Sequence, residues 1–380
     1  MRLSCIKYLH SNFAVLSLLL LFITEAFFKI VLFSTGETPG ILQVTKGVLL
    51  LGVGLYLLIQ QPKSLRLLGL LCLTFVLGQF ALDSGAYKEA VIAFSKLVYP
   101  VILLLFFNSY TLSIKQREKL FVIFEYIMLC NALFVFSGLL FDIKIFNTYL
   151  GSRFGFNGLF VTSATSSYVY SLTLIYLIAK YKATVFKKIP NLIIIGSMFC
   201  LGTKVGYLFL GCFLGVYIWK YTRINNKIIA AGVIVLGALT AYVFFFKFGI
   251  FNEIRLKDGL VSSVMSYRNE LLIERTIPYI QEHWTTFNYM FGGVSDLATK
   301  SQIEFIDIFY FFGSIGGLLY YYVFFKAFLV VKLEIYNAVL LSVLFIIVLL
   351  AGNFFSYPSI AIYLVVLREY LKYNEQNQHT

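Results

Sequence analysis

Apolar segments, several of them shorter than the roughly 20 residues a straight span needs, follow one another along almost the whole of this chain, and one polar stretch, from about Phe248 to Gln302, breaks the series. That pattern leaves few folds open. Hydrophobic residues make up 60% of the 380 and charged residues only 13%. Soluble domains carry about 25% charged residues and need water-facing surface that this chain lacks. The fold class expected is all-α: a polytopic transmembrane helical bundle, one integral membrane domain over residues 1–380. Aromatics at 18%, with 40 Phe and 27 Tyr, fit Phe as lipid-facing filler and Tyr at the interfaces. The cysteines Cys5, Cys72, Cys130, Cys200 and Cys212 form no C-x-x-C or metal spacing and read as small buried hydrophobes. His10, His283 and His379 supply no metal cluster by themselves.

A window of roughly 19 residues gives about twelve spans. They lie near 12–33, 42–59, 67–82, 91–107, 120–141, 158–179, 191–203, 205–219, 228–247, 305–325, 338–354 and 359–372. The pair 191–203 and 205–219 reads as a tight helical hairpin around Gly202-Thr203-Lys204 or as one long tilted helix. Basic loops at both of its ends favour the hairpin, which keeps the number of crossings even. The net charge of +13 sits in alternate loops. These hold Lys63 and Arg66; Lys115, Arg117 and Lys119; Lys180, Lys182, Lys187 and Lys188; Lys220, Arg223 and Lys227; Lys326 and Lys332, with Arg2 and Lys7. Such a distribution accounts for the charge without nucleic acid. By the positive-inside rule that side is cytoplasmic, both termini with it, and the loop 248–304 faces the outside of a bacterial cytoplasmic membrane. The first span, Asn12 to Phe33, is too long for a signal-peptide core, lacks a small-x-small cleavage site and reads as an uncleaved anchor.

Ionisable groups inside spans are expensive and point to function by default. Glu25 and Lys29, four apart on the first helix, read first as an internal ion pair. Lys46 and Lys96, about one turn inside outer helix ends, either snorkel or touch substrate. Glu125 follows a cytoplasmic loop and reaches the inner interface. Three outer features invite more. In Gly151-Ser152-Arg153-Phe154-Gly155-Phe156-Asn157-Gly158 an arginine in a Gly-rich turn meets a helix start, where exposed N–H groups and a guanidinium make an anion site; the bland alternative is an interfacial arginine on lipid phosphates. Gly202-Thr203-Lys204-Val205-Gly206 puts a cation at the hairpin tip, either ligand or snorkelling lysine.

The third feature is the loop, whose cations Arg255, Lys257, Arg268 and Arg275 suit an anionic ligand. Ser266 to Trp284 reads as an amphipathic helix interrupted by Pro278, with Arg268 and Arg275 nearly on one face and Leu271, Leu272, Ile277, Ile280 and Trp284 as an apolar stripe. It is either an interfacial helix lying on the bilayer or a lid carrying arginines for a diphosphate. The chain then turns at Phe291-Gly292-Gly293 and returns through Glu304-Phe305-Ile306-Asp307. Glu304 and Asp307, three apart at a helix start, share a face. They either favour the helix dipole or act as a general base.

In order along the chain, Arg153 with Gly155, Phe156 and Asn157, then Gly202-Thr203-Lys204, then Arg268 opening a loop that ends in Phe291-Gly292-Gly293, then Glu304-Phe305-Ile306-Asp307 with Phe312-Gly313-Ser314-Ile315-Gly316, resemble the O-antigen polymerase and O-antigen ligase superfamily. The chain looks most like its Wzy-type polysaccharide polymerases. Lys204 departs from the arginine that members often carry there, which weakens a bidentate phosphate contact. The ligases' histidine falls at Gln302 here, so the acidic pair fits the polymerase pattern instead.

The resemblance implies glycosyl transfer at the outer membrane face, from a polyprenyl-diphosphate-linked glycan to a lipid-linked repeat unit. It casts Arg268, with Arg153, Lys204, Arg275 and Asn157, as groups that hold the diphosphate, and Asp307 or Glu304 as the base. Cations on the departing diphosphate make a metal unnecessary, and no cofactor is called for. A chain-length regulator and a flippase are the partners it brings. The rival class is a flippase or transporter of the same lipid-linked oligosaccharide, against which stand the absence of a visible repeat and the charges at the outer ends. A ligase or a peptidoglycan-type polymerase differs in acceptor only.

Overall fold

The computed structural model describes residues 2–378 apart from 62–64, 83–86, 152, 223 and most of 226–248, with side chains from residue 12 to 376. The span expected at 228–247, Lys63, Ser152, Arg223, Lys227 and His379 therefore lie largely or wholly outside the described residues. The described residues hold helices and no strand. In order they are α1 (Arg2–Thr35), α2 (Ile41–Gln60), α3 (Leu65–Phe80), α4 (Tyr87–Ser109), α5 (Ile114–Phe141), α6 (Ser163–Tyr181), α7 (Ile189–Phe199) and α8 (Lys204–Tyr221). After them come α9 (Ile250–Met265), α10 (Arg268–Leu271), α11 (Ile277–His283), α12 (Thr286–Phe291), α13 (Glu304–Phe328), α14 (Ile335–Ala351) and α15 (Pro358–Gln378).

Five of these are long and apolar enough to cross a membrane: residues 12–35 of α1, then α2, α4, α5 and α13. Hydropathy alone counts about twelve spans; one of them, 228–247, lies largely outside the described residues, and others differ for physical reasons. The helices α3, α7 and α14 are apolar but shorter than 18 residues. At the centre, α6 and α15 pack against each other and are enclosed by protein along most of their length. A helix that meets protein on every side can carry hydroxyls and charges that lipid would not accept. In α6 those hydroxyls bond the preceding turn: Ser167 Oγ donates to Ser163 O at 2.7 Å, Ser171 to Ser167 O at 2.8 Å and Thr173 to Val169 O at 2.7 Å. Thr162 caps the helix, its Oγ1 accepting from Thr165 N at 3.0 Å.

The hairpin expected around Gly202 is two separate helices, α7 and α8, broken by the turn 200–203. Cys200 is buried, but Cys72 and Cys130 face outward. An apolar exterior leaves the two faces of such a helix alike in sequence. Arg117, expected in a basic loop, is also buried, with its Nε 3.4 Å from Glu369 Oε2. Glu369 is buried too and takes Arg368 Nη2 at 2.9 Å, while Arg368 Nη1 donates to Leu104 O and Asn108 Oδ1, both at 2.9 Å. Two charges hidden inside the span 359–372 thus tie α15 to α4 and α5. Glu125 pairs with Lys180 at 2.6 Å and accepts from the phenols of Tyr176 and Tyr181.

The helix α13 is broken at Gly313, whose φ of 69° and ψ of −174° leave the helical region. The turn at Phe291-Gly292 lies directly against this break. A Cβ on Gly313 would strike the backbone of Met290, Phe291 and Gly292, and one on Gly292 would strike Phe311 O and Gly313 N. Asn288 closes the junction, its Nδ2 donating to Gly78 O of α3 at 3.0 Å and to Gly292 O at 2.7 Å. Gly313→Ala therefore combines a left-handed strain of about 1–3 kcal/mol with a backbone clash. We expect a fall of several degrees in the unfolding temperature of the detergent-purified protein. Gly47→Ala, which meets nothing within 4 Å, serves as the control and should leave that temperature unchanged or slightly raised.

Candidate functional site

Three cations from distant parts of the chain converge on one place. Arg153 comes from the irregular segment before α6, Lys204 is the first residue of α8, and Arg268 is the first residue of α10. Each is held there by backbone. The Arg153 turn packs on the turn before α8: Phe156 N donates to Cys200 O at 2.7 Å and Thr148 Oγ1 to Leu201 O at 2.9 Å. Gly202 makes this approach possible, since with φ 69° a Cβ there would strike Phe154 O and the Cα of Gly155. Arg153 Nη2 then reaches Gly202 O at 3.4 Å. Lys204 Nζ donates to Ser263 O at 2.7 Å and Val264 O at 2.8 Å, at the end of α9. Arg268 comes after two consecutive non-glycine residues in the left-handed region, Ser266 (φ 53°) and Tyr267 (φ 66°). Such residues cost energy and persist only where their surroundings hold them; here they swing the chain so that Arg268 turns inward.

Aromatic rings floor the cluster. The Arg153 guanidinium lies 3.9 Å from the Tyr149 ring centroid and 4.8 Å from that of Phe251, and Lys204 Nζ lies 4.1 Å from the same Phe251 ring. Two cations on one ring gain cation–π attraction while still repelling each other. Burial first, and then the charges of Arg268 and Arg153, push the Lys204 ammonium down to about 7. Burial also pushes Arg268 below its ordinary value, opposed by Tyr168, Asp307 and Glu304, which places both carboxylates within electrostatic reach of it. Arg268 is poorly satisfied: Nη1 donates to Met265 O at 3.1 Å, and its buried Nε has no partner among the described residues. None of the three cations forms an ion pair among the described residues.

The two carboxylates differ. Glu304 is buried and both its oxygens are taken, Oε2 by Phe354 N at 3.1 Å and Oε1 by Phe355 N at 3.0 Å. Asp307 is partly buried, and its Oδ1 accepts from Ser301 N at 3.0 Å and Ser301 Oγ at 2.8 Å. Asp307 is thus oriented by Ser301 while keeping access to solvent, whereas Glu304 ties the start of α13 to the turn before α15.

Asn157 and Arg275 stand apart from the cluster. Asn157 is fully buried, and its Oδ1 accepts from Lys29 Nζ, which also donates to Gly158 O at 2.7 Å and Asn147 O at 3.1 Å. All three lysine protons are engaged, so the expected Glu25–Lys29 pair does not form; Glu25 instead accepts from Val161 N at 3.4 Å. Arg275 is exposed and reaches only Ala298 O, at 3.5 Å. The expected shared face with Arg268 is lost because residues Leu272–Thr276 form a π-helical turn, which winds more residues per turn and so rotates Arg275 away from the Arg268 face. That turn also leads Pro278 into the first turn of α11 without a break. The segment docks on protein through Thr276 Oγ1 to Thr299 O at 2.6 Å and Trp284 Nε1 to Gly293 O at 3.0 Å. Of the other loop cations, Arg255 is held by Phe245 O and Asn252, and Lys257 is exposed.

Tyr149, Tyr168 and Phe251 belong to the site, and no spacing in the sequence marks them. The chain matches no protein-family model, no curated protein and no solved structure.

An anion beside Lys204 favours its charged form. Because that form is present below about 7 and lost above it, binding of inorganic pyrophosphate to the cluster should weaken as pH rises through 7. In Lys204→Arg, which keeps its charge, this decline should be shallower; calorimetric titration of both proteins checks it. Asn157→Ala should lower the unfolding temperature, since an unsatisfied buried Lys29 costs about 1–3 kcal/mol.

Proposed function

We propose that this protein is a membrane glycosyltransferase, a polymerase of a surface polysaccharide that transfers a polyprenyl-diphosphate-linked glycan onto a lipid-linked repeat unit. The observation that carries the reading is the convergence of Arg153, Lys204 and Arg268, unpaired by any acid among the described residues, beside the oriented carboxylate of Asp307. In this reading the chain crosses the bacterial cytoplasmic membrane about twelve times, with both termini cytoplasmic. The loop 248–304 lies on the outer face.

The chemistry rests on the groups at hand. The acceptor hydroxyl oxygen attacks the anomeric carbon of the donor's first sugar, and its proton passes to Asp307. The bond from that carbon to the diphosphate oxygen breaks, and the electron pair leaves with the diphosphate. Negative charge grows on the diphosphate as it departs, so Arg268, Arg153 and Lys204 bind the transition state more tightly than the ground state. The unpartnered Arg268 Nε is the donor best placed to gain a bond at that moment. Glu304 holds the turn 353–355 against the site through its two backbone bonds.

Removing a donor of this kind costs about 3 kcal/mol in barrier, a factor of roughly 10²–10³. In a bacterium deleted for its polysaccharide polymerase and matched to this chain's repeat unit, the wild type should restore a ladder of glycan lengths. Arg268→Ala and Asp307→Ala, at equal membrane levels, should give a single repeat unit. Full ladders from both variants would remove these residues from the mechanism. Movement of lipid-linked oligosaccharide across vesicles without lengthening would make the protein a flippase instead.

A further inference from the structure

A second group of cations lies outside the Arg268 cluster and surrounds a small space of its own. A cavity of about 220 Å³ opens between α4, the segment before α13 and the turn leading into α15. Lys96 and Lys300 line it, with Asn353, Ser356 and Tyr357. Lys96 and Lys300 feel each other's charge, and Lys46 of α2 lies within reach of Lys96. None of these three lysines makes a hydrogen bond or an ion pair among the described residues. Acidic groups are near but occupied. Lys300 lies within electrostatic reach of Glu304 and Asp307, whose oxygens accept from Phe354, Phe355 and Ser301. Glu25, the acid facing Lys46, accepts from Val161 N.

Like charges gathered around a small space repel, and an anion between them removes that repulsion. The amide and hydroxyls of Asn353, Ser356 and Tyr357 add uncharged hydrogen-bonding groups suited to phosphoryl oxygens. The volume also selects. It falls below the ~300–1,000 Å³ of pockets that enclose drug-sized ligands, so it takes a compact anionic group and excludes a sugar chain.

We propose that this cavity is a second anion site, taking a phosphate or diphosphate group on Lys96 and Lys300, with Lys46 as an outlying charge. It rests on the polymerase reading for one step only, the identity of its physiological occupant. Donor and acceptor in that reaction both carry a lipid diphosphate. The carboxylates Glu304 and Asp307 stand within reach of Arg268 and of Lys300 alike. The Arg268 cluster then holds the diphosphate that leaves, and this cavity holds the one that stays on the acceptor lipid.

Calorimetric titration of the detergent-purified full chain with inorganic pyrophosphate tests the site. The wild type should bind two equivalents. Lys96→Gln/Lys300→Gln should lose one, with affinity at that site down tenfold or more, and Arg153→Gln/Arg268→Gln should lose the other. Ser356→Asp, which places a carboxylate in the cavity, should remove the same equivalent as the lysine variant, and Lys96→Arg/Lys300→Arg should keep it. Wild-type stoichiometry and affinity in both Lys96→Gln/Lys300→Gln and Ser356→Asp would overturn the proposal. Titration in nanodiscs with and without a polyprenyl diphosphate separates the sources. Competition at this site makes the occupant lipid-borne, and its absence makes it a free anion. A chain that lengthens glycan yet binds one pyrophosphate overturns this site alone. Two bound equivalents without a ladder overturn the polymerase reading alone.

Discussion

Irregular backbone that is buried has to find partners for its N–H and C=O groups within the protein. The whole arrangement depends on how two such stretches are placed, and in both cases glycine removes the side chain that would hold them apart. At Gly313 the broken helix α13 receives the turn at Phe291-Gly292, and Asn288 bonds that turn to α3. At Gly202 the turn before α8 receives the Arg153 segment. The first contact fixes where α13 begins, hence Glu304 and Asp307. The second fixes Arg153 against Lys204. Each junction is backbone on backbone, so it is rigid where a side-chain contact would yield.

Around these junctions the polar interior is built from groups that satisfy one another locally. The α6 hydroxyls bond within their own helix, leaving its surface small enough for close approach by α15. Lys29 anchors the segment 147–158 through two carbonyls and Asn157, pinning both sides of the Arg153 turn. Tyr168 carries its phenol from α6 to Gly352 O at 2.7 Å, beside the turn that Glu304 holds. The scaffold thereby reaches the site through hydrogen bonds that end at α13 and at the Arg153 turn, the two places where the candidate acid and one of the cations sit.

Much of this was legible in the sequence, for reasons that also explain what was not. Helices long and apolar enough to cross a membrane announce themselves by composition, so α1, α2, α4, α5 and α13 appear where hydropathy puts them. Arg153, Lys204, Arg268, Glu304 and Asp307 stood out because charge is rare and costly in such a chain. Their neighbours Tyr149, Tyr168 and Phe251 did not, since one aromatic among 40 Phe and 27 Tyr carries no signal. Seven-residue spacing puts Arg275 on the Arg268 face only along a continuous α-helix, and the π turn at Leu272–Thr276 breaks that condition. The resemblance casts Asn157 as a diphosphate ligand, and no spacing in the sequence reveals its partner Lys29, more than a hundred positions away. Arg368 and Glu369 passed unnoticed inside a span that hydropathy treated as uniform.

Those last two residues sharpen the meaning of the cations at the site. Where Arg117 and Arg368 are drawn inside, Glu369 meets both, and the partly exposed Lys372 with them, and carbonyls of α4 and α13 take further protons. A buried charge treated in this way holds helices together and asks for nothing else. Arg153, Lys204 and Arg268 are treated differently. They are turned toward one another, given aromatic faces and a few backbone carbonyls, and, among the described residues, left without an acid in contact and with Arg268 Nε unbonded. The same chain therefore neutralises its buried cations in one place and withholds neutralisation in another. Mutual repulsion of that kind is a standing cost to stability, and a bound anion removes it. The concentration of uncompensated positive charge beside an oriented carboxylate is what distinguishes this corner of the bundle from the rest of its polar interior.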